Sequence, residues 1–411
     1  MRQLAFLTSF NSLHGTLEVK KEMFDTFSKS LKEFYIINTD NLVYWPNFKK
    51  FSYNEKDIKI NINQIKQSNI KLFDPKNEKE FYLFSKKKKL IIINNFGKSF
   101  FSLKIYFLLK RLNIQQVYID NFGTIGMPAY FDVKNYIRYL NYHIFQKIFS
   151  KFITPLLVLL GFVPRIEIHF TSKKIELNQA KKKLIKGYLF KKKLLFAKEY
   201  KLINSRSYDS IIEKKYSISE KYITHLNAEM NGRHEIETRG YLPKNIVERH
   251  YFHLRKFLKK LSKDFKKPVI ICIHPSINPS EVKKFKNSGL LKGFKIVQYK
   301  TKEYIYKSFL VTTFDTSAIV DAAILRKRII GLWSKYMDVN QIKHSKTFPS
   351  KIGFSRINFE DFKYNKNQLL NLLNNNKKKY SFFLKNYHIH KKKLKGSDEI
   401  INILKRKYKI S

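Results

Sequence analysis

Short apolar runs alternate along this chain with longer stretches whose apolar positions recur every three or four residues. Short uninterrupted apolar runs fit strands buried on both faces, and the longer periodicity fits helices laid against them. Strands are predicted at Gln3 to Phe10, Phe34 to Ile37, Lys89 to Ile93 and Gln116 to Ile119. A helix is predicted at Leu17 to Lys32, with an apolar face of Leu17, Met23, Phe24, Phe27 and Leu31, and another at Phe100 to Leu112. Further strands follow at Arg165 to Phe170 and Tyr200 to Asn204. Between them a lysine-rich helix with a loop is expected over Ile175 to Lys193, and a helix opens at Tyr208 and reaches about Lys215.

The rhythm then restarts. Tyr222 to Leu226 reads as a strand and Asn245 to Leu261 as a long helix. Strands are expected at Val269 to Ile273, Phe294 to Gln298, Phe309 to Thr313 and Ile329 to Leu332. Short helices are expected at Glu303 to Lys307 and Ser317 to Leu325. Strand–helix–strand alternation implies parallel sheets covered by helices, so the fold class is α/β. A chain of 411 residues is long for one domain. Two α/β domains are expected, residues 1–205 and 206–365, their strand-end loops facing a common cleft. Residues 366–411 form a Lys/Asn-rich helical tail that closes over the fold and then frays.

Composition adds two constraints. The formal net charge is +50, which suits polyanions or an acidic membrane surface. The excess is mostly lysine spread along the whole chain, whereas dedicated nucleic-acid readers favour arginine for bidentate contacts, so no specific nucleic-acid partner is expected. The lone cysteine, Cys272, lies within an apolar strand, which fits a reducing cytoplasm. No signal peptide is expected, since Met1-Arg2 leads directly into a strand-length apolar run. An amphipathic insertion covers residues 130–165. Its longest apolar run, Phe152 to Val163, is broken by Thr154, Pro155 and Gly161 and is too short to span a bilayer. With Lys147, Lys151, Arg165, Tyr139, Tyr142 and Phe145 around it, docking at the inner-membrane surface is expected beside a plain core role.

Candidate chemistry gathers where strands end. His274-Pro275 closes the strand Val269 to Ile273, and Pro275 holds His274 toward an extended backbone from which it can donate to a phosphate or ribose oxygen. Asp315, Thr316 and Ser317 open the helix after Phe309 to Thr313, where backbone N–H groups and hydroxyls can hold a phosphate or simply cap the helix. Asp315 is read as capping that helix or orienting His274. Glu229 and His234 lie in the polar loop Asn227 to Glu235 after another strand. In the first half, His14 and Asp120 each follow a strand and are candidates for the base. Phosphate-loop, dinucleotide, zinc-protease and serine-hydrolase signatures are absent, as is an Asp-x-Asp that would hold a divalent metal.

On His274-Pro275 and Thr316-Ser317, with the cadence of Phe309 to Leu332, residues 220–335 resemble the GT-B glycosyltransferases of bacterial capsule and lipopolysaccharide assembly. The resemblance is to the sialyltransferase-like and Kdo-transferase-like groups. It implies two Rossmann-like domains facing a cleft: an acceptor domain over 1–205 and a nucleotide-sugar donor domain over 206–365. It implies a donor, usually a CMP-sugar, bound by the His-Pro and Thr-Ser pairs without metal or other cofactor, and a glycan or glycolipid acceptor. The family's acidic catalytic motif has a loose counterpart in Asp120-Asn121-Phe122-Gly123. A sugar-nucleotide epimerase or a glycerophosphate-type polymer transferase fits the same fold. A non-catalytic basic protein binding RNA or membrane is the alternative outside enzymes.

Overall fold

The computed structural model describes residues 1–8, 13, 16–17, 20–42, 69–96, 100–120, 157, 160–163, 166–174, 177, 197–213, 216–227, 242–274, 277, 279–314, 316–337, 342 and 345–410. These divide into two compact units. One is built from the chain up to Ile212 and from Asn386 onward, the other from Glu213 to Lys385.

The first unit is a seven-stranded sheet in the order β3-β2-β1-β4-β5-β6-β7. Its strands are β1 Gln3–Thr8, β2 Phe34–Asn38, β3 Ile70–Phe73, β4 Leu90–Asn94, β5 Gln115–Asp120, β6 Ile166–Thr171 and β7 Ala197–Leu202, all paired in parallel. The central strands β2 and β4 are buried along their whole length, which explains their unbroken apolar sequences Phe-Tyr-Ile-Ile and Leu-Ile-Ile-Ile. Helix α1, Lys21–Ser30, lays Met23, Phe24 and Phe27 on this sheet, where Phe24 and Phe27 pack against Phe34 with ring centroids 5.7 and 5.5 Å apart. It is shorter than the helix expected over Leu17 to Lys32.

Strand β3 and helix α2, Glu78–Lys88, were not expected from the sequence, so the predicted third strand is in fact the fourth. Asn77 caps α2 by accepting from the Glu80 N–H at 3.0 Å, while the Glu80 side chain accepts from the Lys76 N–H at 2.8 Å. Helix α3, Phe100–Arg111, follows β4, and α4, Arg206–Ile212, follows β7.

The second unit is a six-stranded sheet in the order β10-β9-β8-β11-β12-β13, again entirely parallel. The strands are β8 Tyr222–Asn227, β9 Val269–Ile273, β10 Lys295–Gln298, β11 Ser308–Thr313, β12 Arg328–Trp333 and β13 Ser355–Asn358. Counted within the unit the order is 3-2-1-4-5-6, the doubly wound arrangement expected for a Rossmann-like domain. The first unit repeats it and adds a seventh strand at one edge. Helix α5, Lys244–Phe265, buries His250, Tyr251, Leu254, Phe257, Leu258, Leu261 and Phe265, one stripe at helical spacing, and stops where Lys266 turns left-handed. Helices α6 Pro279–Asn287, α7 Thr301–Tyr306 and α8 Ile319–Ile324 complete the crossovers.

The tail does not fray. Helix α9, Lys366–Tyr387, ends as the chain returns to the first unit, and α10, Gly396–Tyr408, buries Ile400, Ile401, Leu404 and Tyr408 in that unit's core. Asn204 secures the return: its amide donates to the Lys391 and Leu394 carbonyls at 2.5 and 2.6 Å and accepts from the His390 and Lys391 N–H groups at 2.6 and 3.0 Å. Asp209 accepts from the Gly396 and Ser397 N–H groups at 2.6 and 2.9 Å, capping α10. A Cβ at position 396 would run into the Asn204 carbonyl oxygen, so only glycine fits there. Arg2 and Ile410 form a parallel bridge.

Candidate functional sites at two sheet edges

In a doubly wound sheet the chain reverses direction of winding between its first and fourth strands, and the carboxyl ends there leave a crevice for a ligand. In the second unit this point lies between β8 and β11, with β9 on the far side of β8. The structure puts His274 directly after β9, Asn227 at the end of β8, and Thr313, Thr316 and Ser317 at and beyond the end of β11. His274 and Thr316-Ser317 therefore flank β8 from two strands apart, about 10 Å at the usual strand spacing. They do not form a single contact point, because β8 lies between them.

The His274 turn is held from behind. The Ile277 N–H donates to the His274 carbonyl at 3.2 Å, and the Gln298 amide donates to the Ile277 carbonyl at 2.6 Å. The His274 side chain is exposed. On the other side, the Thr316 hydroxyl accepts from the Ala318 N–H at 3.4 Å, so this residue serves as a local cap. Helix α8 starts at Ile319, two residues later than expected, which leaves Ser317 exposed in the turn.

Sequence reasoning missed the polar groups beneath this edge. Asn227 is 4% exposed and Thr313 1%, and the Thr313 hydroxyl has no hydrogen-bond partner among the described residues. Neither amide atom of Asn227 is paired at normal distance there, although the amide sits close enough to the His225 ring to favour its charged form. The His225 ring shares a 2.9 Å hydrogen bond with Thr312, its register partner on β11. His250 of α5 does the same with Ser334, just past β12, at 3.0 Å. Both rings pack on Phe314, at 5.2 and 5.4 Å. Burial pushes both imidazoles down to about 3; Asn227 opposes the shift for His225, and neighbouring His225 and His253 add to it for His250. A histidine inside an otherwise apolar strand or helix face was the signal available for this pair.

In the first unit, Asp120 ends β5 beside Thr171 of β6. Its carboxylate accepts from the Lys173 ammonium at 3.2 Å, and the Ser172 N–H donates to its backbone carbonyl at 3.1 Å. Asn95 is structural: its amide both donates to and accepts from the backbone of Ile119, at 3.0 and 3.1 Å, pinning β5 to the end of β4. Lys20, just before α1, is 7% exposed, and its ammonium lies 5.5 Å from the centre of the Phe6 ring. Burial, then Arg206, pushes the Lys20 ammonium down to about 7, with Asp120 opposing the shift.

His14, Glu229, His234, Pro275 and Asp315 lie outside the described residues, as does the predicted helix over Ile175 to Lys193 apart from Leu177. No cluster of three or more His, Cys, Asp or Glu side chains is arranged to hold a metal among the described residues. A cavity of 590 Å³, lined by Tyr222, Lys259, Lys295 and Tyr304 among others, opens at the amino-terminal ends of β8, β9 and β10. It is the wrong end of the sheet for the strand-end loops that carry the candidate chemistry, and the carboxyl edge is preferred on that ground.

No protein-family model and no curated protein matches the chain. Solved structures similar to it include S. aureus MnaA with UDP, at 13% identity over 99% of this chain and 96% of that one, with a TM-score of 0.48. A putative UDP-N-acetylglucosamine 2-epimerase from Listeria monocytogenes matches at 10% identity over 100% and 97%, TM-score 0.48. Arabidopsis thaliana UGT89C1 with UDP-L-rhamnose matches at 8% over 98% of each chain, TM-score 0.49. The fold assignment rests on the strand orders above and not on these distant likenesses.

Proposed function

We propose that the chain is a metal-independent glycosyltransferase whose second unit binds a nucleotide-activated sugar. The observation that supports this is the all-parallel 3-2-1-4-5-6 sheet with His274, Asn227, Thr313, Thr316 and Ser317 collected at the carboxyl ends around its switch point. His274 and Ser317 would donate to the donor phosphate, with Pro275 and Asp315 supporting them and Glu229 and His234 lining the nucleotide. The resemblance of the His-Pro and Thr-Ser pairs to those of the sialyltransferase-like and Kdo-transferase-like groups favours a CMP-sugar. The first unit would present a glycan or glycolipid hydroxyl to Asp120 or His14.

In the reaction the acceptor oxygen bonds to the anomeric carbon and its proton passes to that base. The bond from the anomeric carbon to the donor phosphate oxygen breaks, and the nucleotide leaves with the electron pair, stabilised by fixed donors. Peripheral membrane association belongs to the same proposal. Leu160 and Phe162 are 60% and 54% exposed, and the Lys110 ammonium lies 5.9 Å from the centre of the Phe162 ring, an apolar tip with a cation suited to acidic headgroups.

A thermal-shift screen against CMP, CDP, UDP and GDP tests the donor reading. One nucleotide should stabilise the wild-type chain and fail to stabilise Ser317→Ala and His274→Ala. No response to any nucleotide rejects it. Incubation with sugar nucleotide and no acceptor separates transfer from epimerisation, because only an epimerase changes the sugar.

A further inference from the structure

We infer that the cavity at the amino-terminal ends of β8, β9 and β10 is a second binding site, for a small oligophosphate anion. It is separated from the donor edge by the length of β9, five residues or about 16 Å at the usual strand rise. Its volume, 590 Å³, is that of a small-molecule site. Helix α5 contributes Lys259 and Lys263, and the start of β10 contributes Lys295. These two elements come close: a Cβ at Gly293 would lie 3.9 Å from the Lys259 Cε. Tyr222, Tyr304 and Val269 supply an aromatic and apolar lining. The two tyrosine rings pack edge to face with centroids 5.4 Å apart, and the Lys295 ammonium lies 5.9 Å from the centre of the Tyr304 ring.

The charge around this cavity has one sign. No Asp or Glu lines it. Asp264 and Glu303 are the carboxylates that feel Lys263 and Lys295, and each is already engaged. Asp264 accepts from the Lys260 ammonium at 2.9 Å and Glu303 from the Lys307 ammonium at 2.6 Å. Glu220, just before β8, pairs with Arg328 at 2.7 Å. The ammoniums of Lys259, Lys263 and Lys295 make no hydrogen bond or ion pair among the described residues. Lys259 and Lys263 stand one turn apart on α5, where like charges repel.

A concavity lined by one sign of charge over low-dielectric walls focuses its field inward and concentrates the counter-ion. The three ammoniums belong to two elements, so an anion with charge spread along its length can engage all of them, and a single point charge cannot. Phosphate oxygens suit such a set, because lysine holds phosphate as a point charge and needs no bidentate geometry. Lys283, Lys284 and Lys286 of α6 are the contrasting case in the same unit: they are equally basic and exposed, and they line no cavity. The site does not depend on the transferase reading.

The test is calorimetry on the full chain with tripolyphosphate, inorganic phosphate and ATP. Tripolyphosphate should bind saturably and at least about 10-fold more tightly than inorganic phosphate. Replacing Lys259, Lys263 and Lys295 together by Met should weaken it by about 30-fold or more. The same replacement of Lys283, Lys284 and Lys286 removes equal charge from the same unit and should change affinity by no more than about 2-fold. All six side chains are exposed, so both variants should keep the wild-type melting temperature to within about 2 °C. His274→Ala and Ser317→Ala should leave tripolyphosphate binding unchanged. In the His274→Ala variant, ATP binding more tightly than tripolyphosphate identifies a nucleotide as the occupant, and equal binding identifies the phosphate chain alone. Absence of saturable binding, or equal weakening in the two triple variants, overturns the proposal. If the donor reading alone is wrong, nucleotides fail to discriminate wild type from His274→Ala while the loss in the cavity variant persists.

Discussion

At the ends of β8, β9 and β11 the described side chains are hydroxyls, an amide and imidazoles, whereas at the ends of β5 and β6 they are the ion-paired Asp120 and Lys173. The sheets beneath share the order 3-2-1-4-5-6. Strand order thus determines where a ligand can sit, and the few residues past each strand end determine what it is. Hydroxyls and imidazoles suit a ligand that must be held and then released as a leaving group.

Acid should separate the two units most strongly. His225 and His250 of the second unit have folded pKa values of about 3 against 6.5 unfolded. Below pH 6.5 the unfolded chain takes up protons that the folded one refuses, so stability falls with pH. At pH 4.5 each contributes a loss of about 3 kcal/mol, from ~1.4 kcal/mol per pH unit. His388 does the same in the first unit, and His390 is shifted the same way. Asp209 there works in the opposite sense. Burial pushes it up to about 6 from 3.8, so it destabilises at neutral pH and returns up to about 2 kcal/mol as pH falls from 6 to 4.5. Hydrogen exchange at pH 7 and 4.5 should therefore show the β8–β13 sheet opening first. Equal loss of protection in both sheets contradicts this asymmetry.

His274→Ala comes next, with transfer expected to fall about 100-fold or more while the melting temperature stays within about 2 °C, since the side chain is exposed. Wild-type turnover would remove His274 from the donor edge. Thr313→Val is smaller and runs in two directions. Its hydroxyl is buried without a partner among the described residues, so the apolar isostere should raise the stability of the free protein by about 1 kcal/mol while reducing the nucleotide-induced shift. A stabilised variant with an undiminished shift would mean that this hydroxyl does not meet the ligand.

Central strands were legible in the sequence because burial on both faces leaves an unbroken apolar run, as in Val269 to Ile273. Edge strands were not. Of Ile70–Phe73 only Ile70 is buried, and of Ser355–Asn358 only Ile357, so neither shows a pattern. Helix α2 was hidden for the same reason, since its buried residues are Phe81 and Ser85 alone. His274, Thr316 and Ser317 could be found because polar residues immediately after an apolar strand are conspicuous. Asn227 and Thr313 look like ordinary strand ends, and only their burial distinguishes them. The Lys173 that pairs with Asp120 was lost among 82 basic residues, because composition cannot show which cation meets a carboxylate.

The passage of the chain out of the first unit and back again sets an order of assembly on the ribosome. The first unit's core includes Ile400, Ile401, Leu404, Tyr408 and Ile410, and Asp209 and Asn204 wait for backbone groups between residues 390 and 397. Everything the second unit needs, from Glu213 to Lys385, emerges before those residues do. The half synthesised first is thus the half completed last, and its exposed sheet must be kept from aggregating until α10 arrives.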